Sequence, residues 1–403
     1  MLTFFAMLSW SAFAGGYQVG LHGQKQIGMG LVGTSLAWDA SSMFYNPGAL
    51  SFTNQKYSFA AGISPIRSIT KFQKTWPSTY EATTDNKLGT PFYFYGAGTI
   101  NKFVKVGLAI NTPYGNSLNW GKDWAGRYLI TDLKLKAIFF QPTVSVKLNE
   151  FVGIGLGVVY ATGDVELNKN VPVSGVDGDG SVSITGKGHE WGFNAGIFVQ
   201  PVKKLSVGIN YRSKIIMKVK DGDAKFTVPA SLSGNFPAST KVSTSLPLPA
   251  NLDFGMSYEF CDKLTLAFSI NNVMWDVYDT LTFDFADNTP ALADSKGPRS
   301  YKSTTIYRVG AEYKTCSFFT FRVGGYWDPS PVNSQYFSPE TPSLDNTGLT
   351  AGFSIMPIKK MSIDMSFLYL MGKETSVTYS PDNFSGKYKS RIYIPGFGLT
   401  FNF

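Results

Sequence analysis

Apolar and polar residues alternate along several stretches of the chain. In KLSVGINYR, residues 204–212, the odd positions are Leu, Val, Ile and Tyr and the even positions after the first lysine are Ser, Gly, Asn and Arg. The same alternation recurs in KLTLAFSIN (263–271) and KMSIDMSFLY (360–369). Successive side chains of a strand point to opposite faces, so each stretch has one apolar and one small-polar face. The pattern predicts β-structure, and both a soluble sandwich and a membrane barrel would produce it.

Short turns and longer loops follow one another in a regular order, which separates these two possibilities. The six short turns lie in TINKFVKVG, VKLNEFVGIG, VQPVKKLSVG, YEFCDKLTLA, EYKTCSFFTF and IMPIKKMSID. The seven longer, polar stretches are 70–88, 113–126, 167–182, 221–246, 285–300, 328–346 and 380–386. Outer-membrane barrels have short periplasmic turns and long extracellular loops, whereas a sandwich has no reason to segregate its loops. We therefore predict an all-β fold, a fourteen-stranded antiparallel transmembrane β-barrel over residues 55–403.

Both ends of the chain carry signals of export. Residues 1–14, MLTFFAMLSWSAFA, end in the small-x-small pattern of a signal-peptidase site, which predicts a signal peptide and a mature start at Gly15. A buried first strand is the alternative, and the lack of Lys or Arg before the apolar run leaves open a start codon further upstream. The last strand, RIYIPGFGLTFNF, alternates aromatics up to Phe403. It is similar to the terminal signal read by the barrel-assembly machinery, which is therefore an expected partner during biogenesis.

The overall composition excludes other classes of protein. A mean hydropathy of −0.04 and the lack of a long apolar run exclude a bundle of transmembrane helices. The net charge of +8 comes from scattered lysines, which argues against nucleic acid and suits a solvated surface or one facing anionic lipid. With two histidines, no metal-ligand spacing and no catalytic motif, we predict no metal, no cofactor and no enzyme. The spacing of Cys261 and Cys316 does not decide whether they pair.

Residues 15–54 precede the predicted barrel and have no strand partner in it. Gly28, Gly30 and Gly33 punctuate this stretch, and Asn46-Pro47 would end a short helix. No strand or βαβ unit precedes the glycines, which argues against a dinucleotide-binding loop. A segment folded inside a barrel explains the small residues, which must fit beside the wall, and the turn residues, which fold the chain back. We therefore predict an N-terminal hatch, a plug with short helices, over 15–54.

Several short motifs occur along the chain besides the strand pattern. Asn46-Pro47-Gly48 lies in the predicted hatch, and Trp327-Asp328-Pro329-Ser330-Pro331-Val332 lies in a long loop. Longer stretches are VGLAINTPYGNSLNWGKDWAGRY, SLPLPANLDFGMSYEF and LTLAFSINNVMWDVYDTLTF. Together they resemble the FadL family of outer-membrane long-chain fatty acid and hydrocarbon transporters, whose plug has an Asn-Pro-Ala motif and whose Tyr-Asp-x-Ser-Pro-Val element has tyrosine where this chain has Trp327. The resemblance covers nearly the whole mature chain.

The resemblance implies a route for the substrate as well as a fold. A hydrophobic molecule would be captured near the outer face, enter an apolar pocket beside the hatch and leave sideways at a kink in the third strand. Carried over by position, that lateral gate falls at Gly107, where glycine could bend the strand and leave a gap. The alternative is that Gly107 only relieves crowding. The implied pocket and hatch residues are Gly15, Phe44, Tyr45, Asn46, Pro47 and Gly48.

Charged residues on the inward register form a second group of candidates. Ion pairs that brace the wall and hold the hatch are the favoured interpretation. One or two of the arginines could instead bind a substrate carboxylate. The candidates are Arg212, Arg308 and Arg322, with the acids Asp253, Glu259, Glu312 and Asp364.

The loop NSLNWGKDWAGRY places Trp120 and Trp124 near Lys122 and Arg127. Exposed aromatics beside cations would suit capture of an amphiphile with an acyl chain and an anionic head. An interfacial aromatic girdle is an equal alternative.

The expected function is transport of hydrophobic small molecules, long-chain fatty acids in particular, by a monomer surrounded by outer-membrane lipid and lipopolysaccharide. Some FadL relatives are partners in type IX protein secretion, so a scaffold that moves no lipid is the alternative. A polar porin is disfavoured by the hatch.

Overall fold

The computed structural model describes residues 16–173, 178–230 and 233–403. The predicted signal peptide and Gly15 lie outside the described residues. Twenty strands form one antiparallel sheet, which closes because β1 pairs with both β4 and β20. The strands are β1 Tyr57–Ile63, β2 Arg67–Lys74, β3 Glu81–Thr83, β4 Phe92–Thr99, β5 Val104–Asn119, β6 Asp132–Lys147, β7 Val152–Val171, β8 Gly180–Val202, β9 Leu205–Arg212, β10 Ile215–Thr227, β11 Ser239–Leu248, β12 Ala250–Cys261, β13 Leu264–Met274, β14 Thr280–Phe285, β15 Ser295–Pro298, β16 Thr304–Cys316, β17 Phe319–Asp328, β18 Asn346–Ile358, β19 Met361–Tyr379 and β20 Phe384–Asn402.

The strands make fourteen passes, which confirms the predicted barrel. Six passes are interrupted once and so contain two strands each: β1 and β2, β3 and β4, β9 and β10, β11 and β12, β13 and β14, and β15 and β16. All six predicted short turns are present, between the bounds of the strands that they join.

The predicted bounds of the longer loops are wrong. β5 continues to Asn119 and β7 to Val171, and the last register pair of β7 and β8 joins Val171 to Gly180. Polarity marks where contact with lipid ends, but the ladder of backbone hydrogen bonds continues beyond it because neighbouring strands extend together. The sequence therefore indicated the edge of the apolar band rather than the end of each strand.

The outward and inward faces follow the predicted alternation. Leu156, Phe193 and Tyr393 face outward and are about half exposed, whereas Asn194 and Ser269 face inward and are buried. Cys261 and Cys316 are free and exposed. None of the helices among the described residues is long and apolar enough to cross a membrane.

The described part of the N-terminal segment, residues 16–54, contacts the inner face of the barrel on several sides. It contains α1 Gln24–Gly28, α2 Ser42–Tyr45 and a 3₁₀ helix, Pro47–Phe52. The Gly30 amide donates to Thr350 Oγ1 of β18 (2.8 Å), and the Ser51 amide donates to Ser145 Oγ of β6 (3.0 Å). Ser257 Oγ of β12 donates to the Ser35 carbonyl (3.1 Å). Because these strands stand on different sides of the ring, the segment lies within it.

Candidate transport cavity and barrel wall

An apolar cavity of about 730 Å³ lies between the N-terminal segment and the barrel wall. Ligand pockets in proteins have volumes of about 300–1,000 Å³. The apolar part of the lining includes Tyr17, Val19, Leu21, Leu31, Ile66, Tyr114, Ile306, Leu368, Ile392 and Ile394. The inward faces of β5, β16, β19 and β20 thus form one side and the start of the N-terminal segment the other.

Beside this cavity the barrel wall is interrupted. β4 and β5 pair up to Tyr93 and Asn111, and there the pairing ends. Residues 87–91 turn away from β5: the Gly89 amide bonds to the Ile66 carbonyl (2.8 Å), and the Pro91 carbonyl accepts from the Ser64 amide (3.0 Å). No backbone hydrogen bond joins residues 87–91 to residues 113–118, all of which are described. We call this interruption the wall gap; five residues of strand make it about 16 Å long.

The start of the N-terminal segment covers part of the wall gap. The Val19 amide donates to the Pro113 carbonyl (2.8 Å) and the Gly115 amide to the Tyr17 carbonyl (3.1 Å). Gln18 and Tyr114 form an antiparallel bridge between these bonds. Residues 17–19 therefore occupy the position that β4 leaves vacant.

The cavity reaches the outer surface of the barrel at the same place. Its lining includes Ser117, Lys134 and Lys136. Ser117 is paired with Lys134, and Lys134 with Glu166 of β7, so these side chains share the outward face. The cavity thus extends beside the wall gap to side chains on the outward face of the barrel.

The predicted kink at Gly107 is wrong in position. Gly107 is in regular register with Ala97 of β4 and Thr143 of β6. The irregularity of β5 lies between Asn111 and Tyr114, where Pro113 has no amide hydrogen to continue the ladder. Gly107 instead allows close approach of the N-terminal segment, because a β-carbon there would lie 2.4 Å from Met43 Sδ.

The predicted residues Phe44, Tyr45, Asn46, Pro47 and Gly48 do not line the cavity. They attach the N-terminal segment to the wall on its far side. Asn46 is fully buried. Its Nδ2 donates to the carbonyls of Thr34 (2.9 Å) and Ile197 (3.0 Å). Its Oδ1 accepts from the Gly48 amide (3.0 Å).

The departure from the family motif at Gly48 has a steric reason. A β-carbon at this position would lie 2.7 Å from the Gly196 carbonyl oxygen and 2.8 Å from that of Gly153. Gly155 of β7 likewise leaves room for Pro47, since its β-carbon would lie 2.3 Å from the Pro47 carbonyl carbon. The segment packs here directly on the backbone of the wall.

Two of the three lumen arginines hold the structure together. Arg322 donates from Nε and Nη2 to Glu312 (2.7 Å each) and from Nη1 to Ser354 Oγ (2.6 Å). Arg212 donates to the Phe44 carbonyl (2.7 Å), and its guanidinium carbon lies 3.8 Å from the centre of the Phe44 ring. Both arginines are buried.

Arg308 is the lumen arginine that lines the apolar cavity. Its one hydrogen bond in the described part of the chain is a long one, from Nη2 to Asn271 Oδ1 (3.5 Å). Its Nε is buried without a partner, and it forms no ion pair with any described residue. Arg212 Nε is also buried without a partner, so Arg308 differs from Arg212 in lining the cavity, where a ligand can reach the guanidinium.

The acidic candidates also differ from one another in their contacts and their exposure. Asp364 lies 3.8 Å from Lys25 of the N-terminal segment, which also pairs with Asp39 (2.8 Å). Asp253 lies near Asn210 Nδ2 (3.4 Å). Glu259 is exposed beside a short turn rather than enclosed in the lumen, because β12 ends two residues later.

The prediction that Trp120 and Trp124 are exposed is wrong. Their rings stack at 4.5 Å and are 5% and 3% exposed, within an aromatic cluster that includes Phe72 and Tyr388. Their indole nitrogens donate to the carbonyls of Pro339 (3.1 Å) and Ile130 (2.5 Å). The loop folds back over the barrel mouth, and burial of these large rings stabilises it there.

The two cations of this loop remain nearer the surface. Lys122 is exposed. Arg127 Nε donates to Asp179 Oδ2 (2.6 Å), and Tyr128 Oη donates to Asp179 Oδ1 (2.6 Å). The bonds from Tyr128 and then Arg127 lower the pKa of Asp179 to about 2. Arg127 is thus engaged within the protein.

Residues 17–21, 87–91 and 112–114, which form the cavity and the wall gap, were missed by the sequence interpretation. Pro91 and Pro113 were the available signal, because proline cannot donate to a ladder and is confined to edges and bulges. A proline on each of two neighbouring strands marks the two sides of the gap.

A closed antiparallel barrel of fourteen passes with an outward apolar band and an internal cavity is typical of outer-membrane transport barrels. The chain belongs to the family described as outer membrane protein transport protein (OMPP1/FadL/TodX), whose model matches residues 5–403. It is therefore an outer-membrane transport protein and not an enzyme, as the sequence predicted.

Named relatives agree with this assignment. The long-chain fatty acid transport protein of Salmonella typhi is 24% identical over 427 residues, which cover 99% of this chain and 96% of the relative. Outer membrane protein P1 of Haemophilus influenzae (strain Rd) is 24% identical over 349 residues, which cover 77% of this chain and 74% of the relative.

Solved structures show the same fold. A Pseudomonas aeruginosa FadL homologue has a TM-score of 0.85 at 20% identity, covering 96% of this chain and 100% of the other. The Pseudomonas putida toluene transporter TodX has a TM-score of 0.76 at 16% identity, covering 97% and 99%.

Proposed function

We propose that the protein carries long-chain fatty acids into the apolar cavity and releases them sideways through the wall gap. The observation that carries this proposal is the cavity itself, which lies between the N-terminal segment and the wall and reaches the outer surface at Ser117, Lys134 and Lys136. Inside the cavity an acyl chain would lie against apolar side chains and out of water.

Arg308 supports a fatty acid over a neutral hydrocarbon. Relatives of this chain are named for fatty acids and solved neighbours for toluene, so the cavity must be considered for both. An enclosed guanidinium without a carboxylate partner is costly, and a ligand carboxylate would give it charge-assisted hydrogen bonds. We assign the head of the ligand to Arg308 and its chain to the apolar lining.

Residues 16–54 act in this proposal as the plug, and residues 17–19 as the cover of the wall gap. Glycines of the wall and Asn46 hold the far side of the segment. Its start is held by the two backbone bonds to β5 at Pro113 and Gly115, and by side-chain bonds from Tyr17 Oη to the Pro247 carbonyl and from Gln18 Nε2 to Asn251 Oδ1. Movement of residues 17–19 away from β5 would break these bonds and open the gap without disturbing the far side.

A scaffold in protein secretion would need no cavity of this kind, and no contact in the described part of the chain favours it. We further propose that the barrel is a monomer and is inserted by the barrel-assembly machinery, to which the aromatic ending at Phe403 is suited.

The test is binding of hexadecanoate by the purified barrel, measured by native mass spectrometry, with toluene as the competing ligand. Ile392→Trp places a large ring in the cavity and should abolish binding. The matched control is Tyr393→Trp, because Tyr393 is the next residue of β20, points outward and is 53% exposed. Equal binding by the two variants would contradict the location of the site.

Arg308→Ala tests the head group separately. It should weaken binding of hexadecanoate by about 10- to 100-fold, the value of a hydrogen bond to a charged group, and leave binding of the methyl ester unchanged. Equal losses for acid and ester would refute the assignment of the carboxylate to Arg308.

A further inference from the structure

Five cations lie together on the outward face of β2 and β20. They are Arg67 and Lys71 of β2 and Lys387, Lys389 and Arg391 of β20. They face outward because the residues between them, such as Thr70 and Ile392, line the cavity. We call these five residues the cationic patch.

Like charges meet directly at the centre of the patch. Lys71 is paired with Lys389, and Arg391 is the partner of Ile69, two residues further along. Like charges opposite each other on neighbouring strands destabilise a sheet unless something neutralises them. Lys71 and Arg391 form no ion pair with any residue that the structure describes.

Nearby carboxylates compensate only part of the patch. Glu374 lies 3.3 Å from Lys389 and 3.9 Å from Lys387, and Asp85 lies 3.1 Å from Arg67. Glu81 is at the far end, opposite Gln73. Two of the five cations thus share Glu374, and the patch keeps an excess of positive charge at Lys71 and Arg391.

The outward charges of β6, β7 and β8 are balanced, unlike those of the cationic patch. On β6, β7 and β8, Lys136 is opposite Asp164, and Asp164 is opposite Lys187. Lys134 pairs with Glu166 at 2.7 Å. On these three strands each of these outward cations is thus opposite an acidic residue of the neighbouring strand.

The height of the patch matches the polar layer of the outer leaflet. Tyr369 and Tyr393 stack at 4.9 Å on the outward face, and Arg391 is two residues beyond Tyr393 towards the long loops. With a strand tilt of about 40°, β20 rises roughly 24 Å along the membrane normal from Asn402 to Tyr393. The apolar band of such barrels is about 25 Å tall, so Tyr393 lies near its outer edge. Tyr393 thus meets acyl chains just below Arg391, and Ile69, which is 42% exposed and level with Arg391, adds apolar surface at the boundary with the head groups.

We propose that the cationic patch binds the phosphate groups of a lipid A glycolipid of the outer leaflet, with Lys71, Lys389 and Arg391 as the central ligands. Phosphate between Lys71 and Lys389 would turn their repulsion into two charge-assisted bonds. The acyl chains of the same lipid pack on Ile69 and Tyr393.

The test compares the barrel with the triple variant Lys71→Gln, Lys389→Gln, Arg391→Gln in detergent, with bisphosphorylated lipid A as the probe. Affinity should fall by about 100-fold, since each cation lost near an anionic lipid costs roughly fivefold. The matched control, Lys187→Gln, Lys218→Gln, Lys220→Gln, removes three outward lysines from β8 and β10 and should bind as the wild type. Folding of every variant is checked by heat-modifiable gel mobility.

Two further probes identify the source of the phosphate. Dephosphorylated lipid A should bind to the wild-type barrel as weakly as bisphosphorylated lipid A binds to the triple variant. Millimolar inorganic phosphate should displace little bisphosphorylated lipid A from the wild-type barrel, because it lacks the acyl chains. Unchanged affinity in the folded triple variant, an equal loss in the control, or full displacement by inorganic phosphate would each overturn the proposal.

Discussion

Asn46 offers a direct test of how the N-terminal segment is held in the barrel. Its side chain is fully buried and makes three hydrogen bonds to the backbone, at Thr34, Ile197 and Gly48. Asn46→Ala leaves the Thr34 carbonyl and the Gly48 amide without this partner, away from water, while Ile197 keeps its place in register between β7 and β9. Each unsatisfied buried group costs about 1–3 kcal/mol, so attachment should weaken by about 2 kcal/mol or more. Because 1.4 kcal/mol is a factor of ten, release of the segment should rise by roughly 30-fold or more.

The expected phenotype is a folded barrel that leaks. The ladder of the wall does not involve Asn46, so heat-modifiable gel mobility should be unchanged. Vesicles that contain the variant should swell in a small sugar, because the freed lumen is lined by polar residues such as Asn194 and Ser269 that water can solvate. Vesicles with the wild-type protein should not swell.

Asn101→Ala is the matched control. Asn101 Oδ1 accepts from the amides of Phe103 (2.9 Å) and Val104 (3.0 Å), but in an exposed turn. Water can replace these bonds, so this variant should stay sealed. A folded Asn46→Ala barrel that also stays sealed would refute the role of this residue in holding a plug.

Three further outcomes follow from the structure. Gly107→Val should loosen the N-terminal segment in a folded barrel, because its β-carbon would lie 2.4 Å from Met43 Sδ; vesicles with this variant should swell in a small sugar, and vesicles that stay sealed would contradict this. With the native cysteines replaced by serine, a cysteine at Ser295 should react with an impermeant maleimide on whole cells and one at Lys359 should not; the reverse result would invert the orientation. Glu312→Ala should lower the free energy of unfolding by about 3–5 kcal/mol, since it leaves the buried Arg322 without its partner; an unchanged unfolding midpoint in heat-modifiability gels would show that the ion pair is dispensable.

The barrel could be predicted from the sequence because its signal is local and repeated. In KLSVGINYR and its counterparts a two-residue period gives each strand an apolar and a small-polar face, and the short turns give the number of passes. Neither feature depends on which strand pairs with which, so the prediction needed no knowledge of long-range contacts.

The site could be predicted only in part, because its residues meet through pairing between distant strands. The candidate Arg308 lines the cavity, whereas Arg212 and Arg322 do not. The local sequence NSLNWGKDWAGRY does not show that Trp120 stacks on Trp124. Nor does it show that the Trp120 indole nitrogen donates to the carbonyl of Pro339, which is 219 positions away. Burial of such residues is decided by the tertiary fold.

The most direct test of lateral release is to lock residues 17–19 onto β5. Gln18 and Tyr114 are opposite each other with the two backbone bonds on either side, and such pairs have Cα atoms about 4.5 Å apart, within the range of a disulfide. We would measure oleate uptake by cells with Gln18→Cys, Tyr114→Cys in a chain whose native cysteines are serine. Uptake should stop when the disulfide forms and return when the same protein is reduced. Equal uptake by the oxidised and reduced forms would contradict release through the wall gap.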